Sequence, residues 1–441
     1  MLSFMFYIFF LTPICFLNNW FILIYSFFFF FFFFMSNYLF GYYFLISYVF
    51  GLDKISFMFC CLSIWICILM VFSMLSIRYL KNSFFFLLCV NFLVLMLFLM
   101  FLVMDFFLFY FFFEGSLIPI VFIIFGWGYQ PERLSAGFFL ILYTLVFSFP
   151  FLLVIFMIYN FFGSFFFFFN FSMHSDLMMF FVVMSFMVKF PLFGLHIWLP
   201  KAHVEAPVSG SMILAGVLLK LGGYGFFRML NFLYFFIFDY GYIFISLSMV
   251  GSLYISFFCM IQSDLKMLIA YSSVCHMGLV ISGLFSLTFF GTLGSLLFMM
   301  GHGFVSSGLF YLVGLVYDRL GSRSIYLIKG LIYFLPSLSF FWFMFCLMNM
   351  SCPPSINLFS EVFLVFGLLS WSWLIFFFFF FFFFFFFFSA CYSLSIFFLT
   401  QHGVFSSLLI YLANCTVAEF FTLVLHFVPV FFLTFDFFYF F

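Results

Sequence analysis

Charge is what this sequence has least of. Asp, Glu, Lys and Arg together make up 5% of its 441 residues, where soluble chains carry about 25%. Twelve basic and twelve acidic side chains cancel, so no basic tract or acidic tail points to nucleic acid as a partner. The eleven cysteines, scattered from Cys15 to Cys415, never fall into a C-x-x-C spacing; they read as small buried hydrophobes, not as a redox or metal motif. Neither a Walker sequence nor a dinucleotide fingerprint occurs, so nucleotide binding is not expected of this chain. The seven histidines also lack the helical pairing of a transmembrane haem protein.

The remaining space is apolar. Hydrophobic residues are 69% of the chain and Phe alone accounts for 102 positions, with a mean hydropathy of +1.42. A membrane span needs about 20 mostly apolar residues, and such runs follow one another here almost to the C-terminus. The composition therefore excludes a water-soluble domain and predicts an all-α, polytopic transmembrane bundle. The opening MLSFMFYIFF has neither the Arg- and Ser-rich pattern of a transit peptide nor a cleavable signal's basic start, and reads as the first span. Two low-complexity runs, Phe27–Phe34 and Phe376–Phe388, suit lipid-facing helices and carry no chemistry.

Polar punctuation divides the apolar runs into about 14 helices. Two are expected within 2–50, with a break near Asn18–Asn19. The others are expected at 55–77, 83–104, 106–127, 136–160, 177–198, 208–231, 235–259, 265–288, 290–316, 330–368, 371–400 and 419–439, with SCPPSIN breaking the long segment 330–368. Odd-numbered connections then hold Arg78, Lys81, Arg133, Lys201, Lys266, Arg319, Arg323 and Lys329, and even-numbered ones only Lys54 and Arg228. Positive charge marks the side from which membrane proteins insert, so both termini are expected on the opposite side.

Four charges fall inside predicted spans: Glu114, Lys189, Lys220 and Glu361. A charge at mid-bilayer costs about 2.5–3.5 kcal/mol on insertion scales, which makes each a functional candidate unless it is an inert ion pair. Three of them lie close to proline, in FFFEGSLIPI, MVKFPLFG and SCPPSINLFSE. Proline removes a helical hydrogen bond and obstructs the carbonyl four residues back. A broken helix beside a buried charge is the pattern of an ion site in a transporter. Burial disfavours a charged ammonium and a neighbouring carboxylate restores it, so a Lys whose Glu partner approaches or withdraws is a proton site of switchable affinity. His196, seven residues after Lys189, is expected on the same helical face, and His203, His276 and His302 are expected to extend such a relay. HIWLPKAHVEAP (196–207) is expected to be a connection in which Lys201 and Glu205 are interfacial, and Lys266 is expected at a helix end near the surface.

The run MVKFPLFGLHIWLPKAHVEAPVSGSMILAGVLLKLGGYG (187–225) strongly resembles the subunit 4 family of mitochondrial NADH:ubiquinone oxidoreductase, respiratory complex I. WGYQPERLSAG (127–137), QSDLKMLIAYSSVCHMGLV (262–280), HGFVSSGLFYL (302–312), SCPPSINLFSE (351–361) and the YSL of 392–394 continue the resemblance in order. It runs from about residue 105 to near the end, while the first hundred residues match in hydropathy only. The resemblance implies an antiporter-like membrane subunit with two inverted five-helix repeats and discontinuous helices. That places helices 1–3 in 1–82, the first repeat in 83–231, the second in 232–400 and a C-terminal helix in 401–441.

By the same resemblance Glu114, Lys189, Lys220 and Glu361 are proton-translocating residues, and His196, His203, His276 and His302 line a polar axis. The resemblance further implies neighbouring complex I membrane-arm subunits and membrane lipids as partners, in the mitochondrial inner membrane with both termini on the intermembrane-space side. It implies no cofactor on this chain: NADH, FMN, iron–sulfur clusters and ubiquinone belong to other subunits. The polyphenylalanine run departs from the family's more varied helix 13. The alternatives are a stand-alone cation/proton antiporter subunit of the related multisubunit type and a purely structural membrane subunit.

Overall fold

The computed structural model describes residues 2–36, 44–79, 82–167, 175–371, 375–404 and 414–435; Lys81 lies outside them. The N-terminal elements are α1 (Leu2–Phe10), α2 (Thr12–Phe16) and α3 (Trp20–Ser36), then β1 (Phe44–Ser47) and β2 (Phe50–Leu52). The chain continues through α4 (Lys54–Ser73), α5 (Ser83–Leu102), α6 (Phe106–Gly115), α7 (Leu117–Trp127), α8 (Arg133–Phe162), α9 (Asp176–Lys189) and α10 (Trp198–Glu205). Next come α11 (Val208–Ile213), a π turn (Leu214–Leu218), α12 (Leu219–Ile261), α13 (Leu265–Phe285) and α14 (Phe289–Leu320). The last are α15 (Leu331–Phe334), α16 (Pro336–Asn349), α17 (Ile356–Trp371), α18 (Ile375–Gln401) and α19 (Val417–Phe435). Among the described residues nine helices are long and apolar enough to cross a membrane, with shorter apolar helices between them. The protein is an all-α, multi-pass membrane protein.

Several breaks follow from local chemistry. The first helical segment stops where Asn18 takes a positive φ of 55°, a conformation Asn tolerates better than most residues, and Trp20 Nε1 donates to its side-chain oxygen at 2.9 Å. Pro119 obstructs the carbonyl of residue 115, and α6 ends at Gly115. The residue before a proline avoids the helical region, and α9 accordingly ends at Lys189, with Phe190 preceding Pro191. Pro353 and Pro354 separate α16 from α17.

Two expectations are corrected. Residues 44–52 form a two-stranded antiparallel hairpin, pairing Phe44 with Leu52 and Ser47 with Phe50, where part of a second helix was expected. The expected break between 231 and 235 is missing: helical hydrogen bonding continues from Leu219 to Ile261. No Gly or Pro occurs between Arg228 and Tyr240, so nothing in the backbone there favours a stop.

The chain divides into two compact units. One comprises Met1–Lys189 with Glu205–Phe235, the other Phe190–Val204 with Phe236–Phe441. In the first, α4 is buried along almost its whole length, and Trp20 stacks on Phe86 with ring centroids 5.7 Å apart. The Phe27–Phe34 run is two-faced, with Phe27, Phe30 and Phe34 buried and Phe29, Phe32 and Phe33 exposed. In the second, α13 and α14 are buried on all sides, as expected of helices hydrophobic all round. Small residues bring α14 against α17: a Cβ on Gly367 would stand 2.4 Å from Gly291 N, and one on Gly294 2.8 Å from Leu364 N. Close backbone approach through small residues is how helices associate where lipid tails are as apolar as Leu.

Candidate functional site

In the first unit, two interrupted helices meet through their charges. Glu114 is one residue from the end of α6 and Lys189 is the last residue of α9. Lys189 Nζ lies 3.0 Å from Glu114 Oε1, with both side chains largely buried. The ammonium donates to the Phe113 carbonyl at 2.7 Å and sits over the Phe113 ring, 3.1 Å from its centroid. That carbonyl also accepts from the Ser116 hydroxyl at 3.0 Å. Neither Glu114 oxygen accepts a well-directed hydrogen bond among the described residues, so the carboxylate is held mainly by charge. The pair joins residues 75 positions apart.

Lys220 is fully buried at the start of α12. Its ammonium donates to the Ala215 carbonyl in the π turn. A π turn widens the helix and offsets its carbonyls from the regular ladder, and such turns are frequent at functional sites.

A second buried pair in this unit was not anticipated. Arg228, expected in a connection, is within α12 and grips Asp53 with two parallel bonds of 2.6 Å. Its Nε donates to the Tyr224 hydroxyl at 2.9 Å, and that hydroxyl donates to the Phe101 carbonyl at 2.8 Å. Asp53 also caps α4, accepting from Ser56 N–H at 3.1 Å while the Ser56 hydroxyl accepts from Asp53 N–H at 2.8 Å. Burial alone raises the Asp53 carboxyl's proton affinity, but the Arg228 charge and the hydrogen bonds from Arg228 and Ser56 outweigh it and hold the group below the usual carboxylate range.

In the second unit His196 sits in the turn after α9, half-buried, its Nδ1 accepting from Gly194 N–H at 3.2 Å and its ring stacked on Phe193. Because α9 ends at Lys189, the expected two-turn helical relation between Lys189 and His196 does not hold. His203 is fully buried in α10, stacked on Phe310 with centroids 4.6 Å apart and an interplanar angle of 1°. HIWLPKAHVEAP is thus half helix: Lys201 is exposed, but Glu205 is buried where an interfacial position was expected. Lys266 corrects a second such expectation, being fully buried. Lys266 Nζ, at 3.5 Å, and Arg323 Nη1, at 2.9 Å, both point to the Val204 carbonyl near the end of α10. Cations there complement the negative end of the helix.

His276 in α13 and His302 in α14 are buried neighbours with ring centroids 5.6 Å apart. His276 Nε2 shares a 2.9 Å hydrogen bond with the Tyr392 hydroxyl of α18. Glu361, buried in α17, accepts from the Ser351 hydroxyl and borders a cavity of about 240 Å³ whose lining includes Ser351, Phe386 and Ser389. Among the described residues no group of three or more His, Cys, Asp or Glu is arranged to hold a metal ion. Buried carboxylates, ammonium groups and imidazoles, each beside a helix interruption or another polar group, are suited to holding and passing protons.

Comparison with known proteins fits this arrangement. Residues 103–389 match the family described as NADH:quinone oxidoreductase/Mrp antiporter, TM. Residues 1–102, similar in the sequence analysis only in hydropathy, match NADH-ubiquinone oxidoreductase chain 4, amino terminus. The chain is 44% identical over 425 residues to NADH-ubiquinone oxidoreductase chain 4 of Ceratitis capitata, covering 95% of each chain. It is 46% identical over 414 residues to chain 4 of Locusta migratoria, covering 92% of each. A chain of respiratory complex I from Thermus thermophilus has the same fold, with a TM-score of 0.83 and 24% identity over 95% of this chain and 91% of that one.

Proposed function

Because the chain belongs to the NADH-ubiquinone oxidoreductase chain 4 family, we propose that it is a core membrane-arm subunit of the proton-pumping NADH:ubiquinone oxidoreductase, carrying protons while partner subunits transfer the electrons. The observation that carries this reading is the Glu114–Lys189 pair, a 3.0 Å contact between two charges at the ends of interrupted helices inside an apolar unit.

In this reading Lys189 holds a proton while Glu114 is beside it and releases it when the carboxylate withdraws, because burial then acts on the ammonium unopposed. Lys220 is the next proton-holding group of the first repeat. His196, His203, His276 and His302 pass protons through imidazole, which both donates and accepts. Glu361 is the terminal carboxyl of the second repeat. The proposed repeats are 83–231 and 232–400, flanked by 1–82 and 401–441, with the boundary between them falling inside the continuous helix α12. Each half-channel needs a discontinuous helix at its charge, which the ends of α9 and α16 supply.

The partners are neighbouring antiporter-like membrane-arm subunits and lipids of the mitochondrial inner membrane, with both termini on the intermembrane-space side. NADH, FMN, iron–sulfur clusters and ubiquinone are carried by other subunits, and the translocation step needs none of them on this chain. Native electrophoresis of mildly solubilised inner membranes, stained for NADH dehydrogenase activity and followed by mass spectrometry, tests the assignment. The chain is expected in the large NADH-active band. Its presence only in a smaller, NADH-inactive band would overturn the assignment in favour of the stand-alone antiporter.

A further inference from the structure

We propose that the Tyr392 hydroxyl is a proton-transferring link between the His276–His302 pair and Glu361. The proposal rests on the proton-carrying reading above and deepens it by adding one residue to the path in the second unit.

Three observations converge on one face of α18. The Tyr392 hydroxyl is 2.9 Å from His276 Nε2 in a fully buried contact. Phe385, seven residues earlier and so two turns along the same helical face, also touches the His276 ring, at a centroid distance of 6.2 Å. Ser389 lies between them on that face, one turn from Tyr392, and borders the Glu361 cavity. The face of α18 that meets His276 through Phe385 and Tyr392 therefore also borders the surroundings of Glu361 through Ser389. A cavity needs about 10–15 Å³ to admit one water and polar groups to hold it; the 240 Å³ here has the room, and Glu361, Ser351 and Ser389 are the polar groups on its otherwise apolar lining.

The chemistry requires a hydroxyl here and not merely a ring. A phenol donates one proton and accepts another. When protonated His276 gives its Nε2 proton to the Tyr392 oxygen, the original O–H proton leaves by way of Ser389, one turn away, and through the cavity Ser389 borders towards Glu361. One N–H and one O–H bond break, a new O–H bond forms on Tyr392, and the departing proton ends on the Glu361 carboxylate. Tyr392 is neutral before and after. Phenylalanine at this position would keep the contact with the His276 ring and stop the transfer.

The test is Tyr392→Phe in the assembled enzyme, with Ser389→Ala and Glu361→Gln measured in parallel. NADH:ubiquinone turnover, proton pumping in sealed vesicles, the pH profile and the solvent deuterium isotope effect are recorded. Tyr392→Phe is expected to assemble normally, to lose on the order of tenfold in coupled turnover, and to show an altered pH profile and a larger isotope effect. Tyr392→His, which restores a group able to donate and accept, should recover part of the loss. Wild-type turnover, pH profile and isotope effect in Tyr392→Phe, with Glu361→Gln impaired, would overturn the Tyr392 link alone. Wild-type behaviour of both would overturn the proton role of Glu361 as well. If Tyr392→Phe fails to assemble, Ser389→Ala decides: impaired pumping with an altered isotope effect supports the path, and wild-type pumping overturns it.

Discussion

Replacing Asp53 by Asn removes one charge from the Asp53–Arg228 pair and leaves almost everything else in place. The asparagine oxygen can still accept from Ser56 N–H, so the cap of α4 survives. The two side chains are 13% and 15% exposed, so the small contribution of a surface pair does not apply. Removing one partner of a buried pair costs about 3–5 kcal/mol, because the other charge is left uncompensated. Arg228 keeps its bond to the Tyr224 hydroxyl, which places the cost near the lower bound, about 3 kcal/mol. Cys60, a fully buried free thiol two turns into α4, reports the effect. If α4 opens locally and recloses faster than a maleimide reacts, labelling follows the opening equilibrium. A loss of about 3 kcal/mol then accelerates Cys60 labelling roughly 150-fold, at tenfold per 1.4 kcal/mol.

The labelling is measured by mass spectrometry on intact complex. A rate within about threefold of wild type, worth under about 0.7 kcal/mol, would refute the energetic argument. The double replacement Asp53→Leu with Arg228→Met should return labelling most of the way to wild type, since an apolar pair removes the uncompensated charge and leaves only the loss of the α4 cap, about 1 kcal/mol. The pH dependence has a definite sign. A carboxyl whose proton affinity is lowered by folding contributes stability that is fully present above its unfolded value, about 3.9, and lost as pH falls through the folded one. Wild-type labelling of Cys60 is therefore expected to be insensitive to this pair between pH 7 and about 5, and to rise only below about pH 4.

Lys189→Ala should reduce proton pumping by on the order of tenfold or more with much less effect on assembly, read from vesicle acidification against band intensity on native gels. Glu114→Gln should move the pH dependence of turnover, because the carboxylate is 3.0 Å from Lys189 Nζ; an unchanged profile would show that the two do not interact. Gly294→Ala should destabilise by about 1–3 kcal/mol, since its Cβ would meet backbone atoms of Leu364 and Ser360 at 2.8 and 2.9 Å; a wild-type yield and melting temperature would contradict the close packing of α14 on α17. Epitope tags at either end, probed with protease in mitoplasts, should be cleaved once the outer membrane is opened and protected if the termini face the matrix.

Fold class was legible because it depends on length and polarity alone, which the bilayer imposes residue by residue. The helix interruptions were legible for the same local reason: Pro119, Pro191, Pro353 and Pro354 act on their own backbone neighbours. Glu114 and Lys189 were legible as buried charges because an apolar chain has few of them; that these two meet is given by the fold. What proline signals missed were continuity and strand pairing. Polar residues near 231 suggested a stop that the backbone of α12 does not make. The Phe44–Leu52 hairpin lies in a stretch whose hydropathy is that of a helix.

The less legible part is the placement of cations. Reading charge as a marker of connections assigned Arg228 and Lys266 to the membrane surface, by the same logic that correctly left Lys201 exposed. The structure gives these three cations three different environments, and neither composition nor hydropathy distinguishes them. Arg228 is set by a carboxylate 175 residues away and Lys266 by the carbonyl end of a helix 62 residues away, while Lys201 is exposed. Tyr392 is the extreme case, since a tyrosine in a Phe-rich run looks like one more aromatic until its hydroxyl is found on His276, 116 residues earlier. In a chain this apolar, a polar atom's role is fixed by which other polar atom lies within about 3 Å. That distance is a property of the folded chain, which is why neither the partners of Arg228 and Lys266 nor that of the uncharged Tyr392 could be read from the sequence.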